Sequence, residues 1–155
     1  MPTEIERKFL VVNDNWKAGV ESRADLKQGY LASQPNATVR VRIAEGRAQL
    51  NIKGPTRGIS RSEYEYEIPS REAEEILEQL ADGAVIEKER FKVRCGGHVW
   101  DLDVFKGDNA GLVIAEVELA NEEESFEMPD WAGSEVSGDA RYYNASLVKN
   151  PYSRW

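Results

Sequence analysis

Polar and apolar residues alternate with a period of two along most of the chain. This alternation is typical of β-strands with one wet and one dry face, because successive side chains of a strand point to opposite sides. In the first such segment Glu4, Glu6 and Lys8 alternate with Ile5 and Phe9. Eight segments fit the pattern, and the predicted strands cover residues 3–12, 25–33, 38–44, 48–53, 60–68, 85–95, 98–105 and 112–120.

Turns that contain Gly or Asn separate several of these segments and favour antiparallel hairpins. One stretch instead has the spacing of an amphipathic helix, and residues 70–82 form this predicted helix, with Ser70 as its N-terminal cap and Gly83 beyond its end. Weaker helical patterns cover residues 13–24 and 140–149. Together the elements predict one antiparallel domain over residues 1–155, of the all-β or α+β class.

The polar positions of the predicted strands are mostly charged, and the charges are segregated by sign. Residues two apart on a strand share a face, and the pairs of like charge are Arg40 with Arg42, Lys88 with Arg90, Asp101 with Asp103, and Glu116 with Glu118. The simplest interpretation of any one stripe is the solvated face of a sheet. Separate acidic and basic stripes nevertheless indicate a site for charged ligands. Carboxylates bind hard cations such as Mg²⁺ or Mn²⁺, and Arg and Lys bind phosphate oxygens.

If eight such strands close on themselves, no strand edge stays unpaired and the charged faces line a lumen. The apolar faces then point outward and need a cover, which the predicted helix 70–82 supplies. We therefore expect an α+β fold: a closed eight-stranded antiparallel β-barrel with a charged lumen and helices packed outside.

Composition limits the partners. The 155 residues contain 20 Lys and Arg against 28 Asp and Glu, a net charge of −8. Such a surface repels nucleic-acid backbones and anionic membranes, so we expect neither as a partner. Cys95 is the only cysteine, which excludes an intramolecular disulfide and a Cys-based zinc cluster. The charged N-terminus and the lack of a long apolar run predict a cytoplasmic protein.

The ordered set of charged motifs resembles the CYTH superfamily, also called triphosphate tunnel metalloenzymes. The segment Glu4-Ile-Glu6-Arg-Lys8 matches the ExExK signature of that superfamily. The similarity continues through Gln28-Gly-Tyr30-Leu, Arg40-Val-Arg42, Ile52-Lys53, Ser62-Glu63-Tyr64-Glu65, Glu87-Lys88-Glu89-Arg90, Asp103, Glu116-Val-Glu118 and Asp139-Ala-Arg141-Tyr-Tyr-Asn144. It spans essentially the whole chain.

The resemblance implies an eight-stranded tunnel that binds a triphosphate with one or two divalent ions, Mg²⁺ or Mn²⁺. Carried over by position, the metal-binding carboxylates are Glu4, Glu6, Asp103, Glu116 and Glu118. The implied substrate-binding cations are Lys8, Arg40, Arg42, Lys53, Lys88 and Arg90. Lys8 and Tyr30 are the implied catalytic pair, which would orient or deprotonate the attacking water.

The expected activity is metal-dependent hydrolysis of inorganic triphosphate to pyrophosphate and phosphate, by a monomer or a homodimer. The alternatives are a thiamine or nucleoside triphosphatase, an adenylate cyclase, and a non-catalytic module that binds polyphosphate or nucleotide. The sequence leaves open the roles of Glu63, Glu65, Asp101, Asp139 and Arg141.

Overall fold

Nine β-strands and two α-helices make up the regular structure of residues 2–155, the part of the chain that the computed structural model describes. The strands are β1 (Thr3–Val11), β2 (Val20–Gln34), β3 (Ala37–Ala44), β4 (Arg47–Lys53), β5 (Ser60–Ile68), β6 (Ile86–Cys95), β7 (His98–Phe105), β8 (Val113–Glu118) and β9 (Ala132–Glu135). The α-helices are α1 (Ser70–Leu80) and α2 (Asn144–Leu147).

Eight of the strands form a closed antiparallel barrel in the order β1-β8-β7-β6-β2-β3-β4-β5. The first strand closes it, because β1 pairs with β5 from Thr3 to Ile5 and with β8 from Glu6 to Leu10. The structure thus confirms the predicted barrel and its eight strands. The ninth strand, β9, pairs with the end of β1 and was not predicted.

The apolar core lies outside the barrel wall, between the strands and the segments that cover them. Trp100, Leu102 and Val117 point outward from the wall and pack with Trp16 and Trp131. On the other side of the barrel, α1 buries Ala73 and Leu77 against Val41 and Ala48. Because strand residues alternate between faces, the charged positions between these apolar residues face the lumen.

The predicted helix 70–82 is present, but its first turn differs from the expectation. Pro69 precedes the helix, and Ser70 is the first helical residue with no capping bond to the helix backbone. The Ser70 hydroxyl instead donates a hydrogen bond to the carbonyl of Gly46 and ties the helix to the β3–β4 turn.

The two weaker helix predictions are mostly wrong. Residues Asn15–Gly19 form a short 3₁₀ helix that buries Trp16, but Val20 already begins β2 and pairs with Val93. Within residues 140–149, a 3₁₀ turn at Ala140–Tyr142 and the short α2 occur in place of one continuous helix. No helix within residues 2–155 has the length and the apolar run needed to cross a membrane.

Candidate active site

The lumen is a cavity of about 520 Å³ whose wall carries charged side chains from most of the barrel strands. Eleven of the twelve predicted site residues line it, and Asp103 is the exception. The eleven are Glu4, Glu6, Lys8, Tyr30, Arg40, Arg42, Lys53, Lys88, Arg90, Glu116 and Glu118. The barrel therefore brings all but one of the predicted residues to a single cavity.

Carboxylates from β1 and β8 crowd together on one side of the lumen. Glu6 lies directly opposite Glu118 in the strand pairing. Burial, together with the charges of Glu116 and Glu4, raises the pKa of Glu6 well above its usual value. Burial and the charge of Glu4 also raise the pKa of Glu118. These acids therefore carry an excess of negative charge that a bound cation would relieve.

Lys8 is buried beside these acids and lies opposite Glu116, with 3.4 Å between its Nζ and the carboxylate. Burial alone would lower the pKa of Lys8, but Glu116 and Glu6 outweigh it and the pKa is raised. Burial alone would raise the pKa of Glu116, and Lys8 with Arg90 holds it below its usual value. Lys8 is thus held as an ammonium, a form that binds anions and cannot accept a proton.

Asp103 contacts two of the lumen cations, Arg90 and Lys88. Its two oxygens accept hydrogen bonds from Arg90 at 2.7 and 2.9 Å, and Lys88 lies 2.7 Å away. Lys88 is almost fully buried and also donates to Asn144 at 3.1 Å. Burial, reinforced by the charge of Arg90, lowers the pKa of Lys88 to about 8 despite Asp103. Asp103 is therefore engaged in orienting cations.

Lys53 and Arg61 share the carboxylate of Glu4. The Nζ of Lys53 lies 3.1 Å from Glu4 and 2.9 Å from Glu63, and the Nε of Arg61 lies 3.2 Å from Glu4. Burial and the charge of Arg40 lower the pKa of Lys53. Glu63 thus pairs with a lumen cation.

The two arginines of β3 have a different environment. Arg40 donates to the side-chain oxygen of Asn51 at 3.1 and 3.3 Å, and Arg42 donates to Gln49 at 3.3 Å. Burial and the nearby charges of Arg40 and Arg90 lower the pKa of Arg42 to about 10. Their hydrogen-bond acceptors are neutral amides.

The C-terminal segment contributes to the same cavity. The Ser137 hydroxyl accepts the backbone N–H of Lys8 at 2.9 Å, and the ring of Tyr143 lies 5.6 Å from the Lys8 ammonium. Tyr30 is buried and lines the cavity. The sequence left the roles of four further residues open. Glu65 and Asp101 also line the cavity, while Asp139 and Arg141 pair with each other at 2.7 Å near the surface.

Sequence reasoning missed several residues of the site. Arg61 lines the lumen because β5 pairs with β1, and that pairing places it opposite Glu4. Asn51 and Asn144 are uncharged, so a search for charged stripes passes over them. Alternation with Lys53 was the one signal that placed Asn51 on the lumen face.

No three His, Cys, Asp or Glu side chains within residues 2–155 converge into a ready-made metal site. The donor set still fits a hard divalent cation, because Glu4, Glu6, Glu116 and Glu118 supply only oxygen atoms and line one cavity. Burial is the largest cause of the raised pKa of Glu6, and the charges of Glu116 and Glu4 add to it, so a cation among these carboxylates would relieve their repulsion.

Comparisons with known proteins agree with this architecture. The inorganic triphosphatase of Acetivibrio thermocellus is 49% identical to the chain, over 100% of the chain and 99% of that protein. The inorganic triphosphatase of Nitrosomonas europaea is 36% identical, over 94% of the chain and 97% of that protein. A crystal structure of an inorganic triphosphatase superposes with a TM-score of 0.66 at 33% identity, covering 96% of the chain and 95% of its own. The model of the CYTH domain matches residues 2–152, and the chain therefore belongs to the CYTH family.

Proposed function

We propose that this protein is an inorganic triphosphatase that hydrolyses tripolyphosphate to pyrophosphate and phosphate with the help of Mg²⁺ or Mn²⁺. The observation that carries the proposal is the enclosed lumen, in which the six predicted cations and four of the five predicted metal-binding carboxylates line one cavity of about 520 Å³. Such a cavity suits a short polyanion that carries a divalent ion. Both curated relatives are named inorganic triphosphatases, and they match nearly the whole chain.

In this proposal the cations of the lumen bind the phosphate oxygens. Phosphoryl transfer depends mainly on positioning and on neutralising charge, and this set provides both: Lys8, Arg40, Arg42, Lys53, Lys88 and Arg90. Asp103 orients Arg90 and Lys88, because both of its oxygens already contact these cations. This arrangement makes Asp103 a weaker candidate for a direct metal ligand than the other four acids.

Glu4, Glu6, Glu116 and Glu118 would hold the divalent ion or ions. When bound, the metal supplies charge neutralisation of the phosphates and lowers the pKa of coordinated water. One or two ions are compatible with this donor set.

Tyr30 is the residue that we propose to orient the attacking water. Its ring is buried in the wall and its side chain lines the cavity. Lys8 is held as an ammonium by Glu116 and Glu6, so we assign it to phosphate binding rather than to proton abstraction. A Tyr30→Phe protein should keep its KM for tripolyphosphate and lose about 10- to 100-fold in kcat. Undiminished turnover would contradict the role of the hydroxyl.

A substrate panel tests the proposed function. Phosphate release should be greatest with tripolyphosphate and smaller with thiamine triphosphate, ATP and pyrophosphate, and it should stop when a chelator removes Mg²⁺ or Mn²⁺.

Arg42→Ala should raise the KM for tripolyphosphate. Arg47→Ala is the matched control, because Arg47 pairs with Glu67 and is 76% exposed. Tight binding of tripolyphosphate without hydrolysis of any substrate would favour a non-catalytic binding module instead.

A further inference from the structure

The cations of the lumen fall into two groups that differ in what lies across from them. Five of them face a carboxylate on the neighbouring strand: Lys8 faces Glu116, Lys53 faces Glu63, Arg61 faces Glu4, Arg90 faces Asp103 and Lys92 faces Asp101. Lys88 belongs to the same group, because it lies 2.7 Å from Asp103. A phosphate that binds any of these cations must compete with the carboxylate. Each such ion pair has to loosen or exchange partners first.

Arg40 and Arg42 lie in neutral surroundings on both sides. Arg40 lies between Tyr30 on β2 and Asn51 on β4, and Arg42 lies in the same way between Gln28 and Gln49. Neither guanidinium forms an ion pair of 4.0 Å or less with any described residue, and their hydrogen bonds go to the amide oxygens of Asn51 and Gln49.

An amide oxygen and a carboxylate oxygen affect a guanidinium differently. Both accept its hydrogen bonds, but only the carboxylate cancels its charge. Asn51 is fully buried, and its Nδ2 has no hydrogen-bond partner among the described residues, so its contact with Arg40 is the one that the side chain makes. The carboxylates of Glu65 and Glu67 are one strand further away, opposite Asn51 and Gln49 on β5.

We propose that Asn51 and Gln49 are positioning residues that hold Arg40 and Arg42 as uncancelled cations, and that this pair anchors one phosphoryl group of the substrate without a divalent metal. The proposal rests on the proposed function for the identity of the substrate. Burial is the largest cause of the lowered pKa of Arg42, and repulsion by Arg40 and by Arg90 each exceeds the opposing effect of Glu65 or Glu63. The metal-dependent contacts then concern the remaining phosphoryl groups, which meet cations that are paired with acids.

The test measures binding of tripolyphosphate by calorimetry in the presence of EDTA. Wild-type protein should bind it without metal, and Asn51→Asp and Gln49→Glu should each weaken this binding at least about tenfold, because the new carboxylate cancels the guanidinium charge. Asn51→Thr keeps an oxygen acceptor without a charge and should stay within about threefold of wild type. Gln79→Glu adds the same charge on the exposed side of α1 and is the matched control, with unchanged binding.

Steady-state kinetics with Mn²⁺ separate a positioning role from a general loss of structure. Asn51→Asp should raise KM for tripolyphosphate more than it lowers kcat, and circular dichroism should show an intact fold. If Asn51→Asp does not fold, Gln49→Glu decides, because Gln49 is only half-buried.

Two results would overturn the proposal: wild-type protein that binds no tripolyphosphate in EDTA, or folded Asn51→Asp and Gln49→Glu proteins that bind it as wild type does. If either occurs while the metal-loaded enzyme still hydrolyses tripolyphosphate, the proposed function stands and only the anchoring site is wrong. If the protein binds tripolyphosphate without metal but does not hydrolyse it when metal is present, the anchoring site stands and the proposed function is wrong.

Discussion

Glu6 and Glu116 are two residues of the same type in the same cavity, and their neighbours shift their pKa values in opposite directions. Burial, Glu116 and Glu4 raise the pKa of Glu6, whereas Lys8 and Arg90 overcome burial and lower that of Glu116. Their neighbours explain the difference, because Glu116 lies opposite Lys8 in the strand pairing, whereas the acids Glu116 and Glu4 act on the buried Glu6. One carboxylate thus destabilises the metal-free protein, and the other is held by a cation.

The protonation of Glu6 should control part of the stability of the metal-free protein. Folded Glu6 holds a proton above the pKa of 4.5 that it has when unfolded. The folded state therefore binds more protons there, and the free energy of unfolding falls as the pH rises from about 4.5 through the raised pKa. Glu6→Gln should remove this loss and stabilise the protein at pH 7 by roughly 1 kcal/mol or more. Urea denaturation in EDTA at several pH values measures it.

Glu116→Gln is the opposite case and serves as the matched variant. Removing this carboxylate leaves Lys8 buried with its nearest ion-pair partner gone, so we expect a loss on the order of 3 kcal/mol. The same urea series compares the two proteins. Equal effects of the two substitutions would show that the strand register does not control these charges.

At the scale of elements, the alternating pattern was sufficient for the barrel strands because each has an apolar outer face and a charged inner face. The pattern failed for segments that lack either the apolar or the charged face. The first residues of β2, from Val20 to Arg23, are exposed and fall within the predicted helix 13–24, although they pair with β6. The four residues of β9 show no alternation, and only their pairing with β1 makes them a strand.

The site could be predicted to a similar extent and for a similar reason. Charged residues at every second position indicate a common face, and this located most of the lumen cations and about half of the lumen acids. The choice of partners depends on which strands are neighbours and in what register. For that reason the sequence did not predict that Asp103 contacts Arg90 and Lys88, or that Arg61 contacts Glu4.

Gly29 shows how a helix outside the barrel constrains the wall that carries the site. A Cβ atom at this position would lie 2.8 Å from the Cδ2 of Leu77 and 3.2 Å from the Cβ of Ala81. Gly29 separates Gln28 and Tyr30, whose side chains face inward. A glycine is needed here because α1 packs closely on β2.

This packing gives a prediction for the contact between α1 and β2. Gly29→Ala should destabilise the protein by about 1–3 kcal/mol, because the added methyl group pushes against Leu77. Leu77→Ala alone should cost about 2–5 kcal/mol through the cavity that it leaves. The double variant should be more stable than the sum of the two effects predicts, since the new methyl group then has room. A double-mutant cycle by urea denaturation measures the coupling, and strict additivity would contradict the contact.

At the scale of the whole molecule, a net charge of −8 and an anionic substrate are compatible because the charges are separated in space. Cations of the lumen are mostly matched with acids of the lumen, so the cavity attracts a polyanion best when a cation occupies the carboxylates. Among the lumen cations of residues 2–155, only the pair Arg40 and Arg42 departs from this matching. The acidic composition therefore excludes binding of bare nucleic acid more firmly than it excludes a short polyphosphate with metal.

The position of the acids also links metal binding to global stability. Glu4 and Glu6 belong to β1, the strand that closes the barrel by pairing with both β5 and β8, and Glu116 and Glu118 belong to β8. An ion that binds the folded protein and not the unfolded chain stabilises the fold by mass action.

We expect Mg²⁺ or Mn²⁺ at about 100 times its Kd to raise the unfolding temperature by about 5–10 °C. EDTA should reverse the increase. Glu67→Gln, a change at an exposed residue paired with Arg47, should leave the increase intact, whereas Glu6→Gln should diminish it. A metal-induced increase of equal size in both variants would place the ion elsewhere on the molecule.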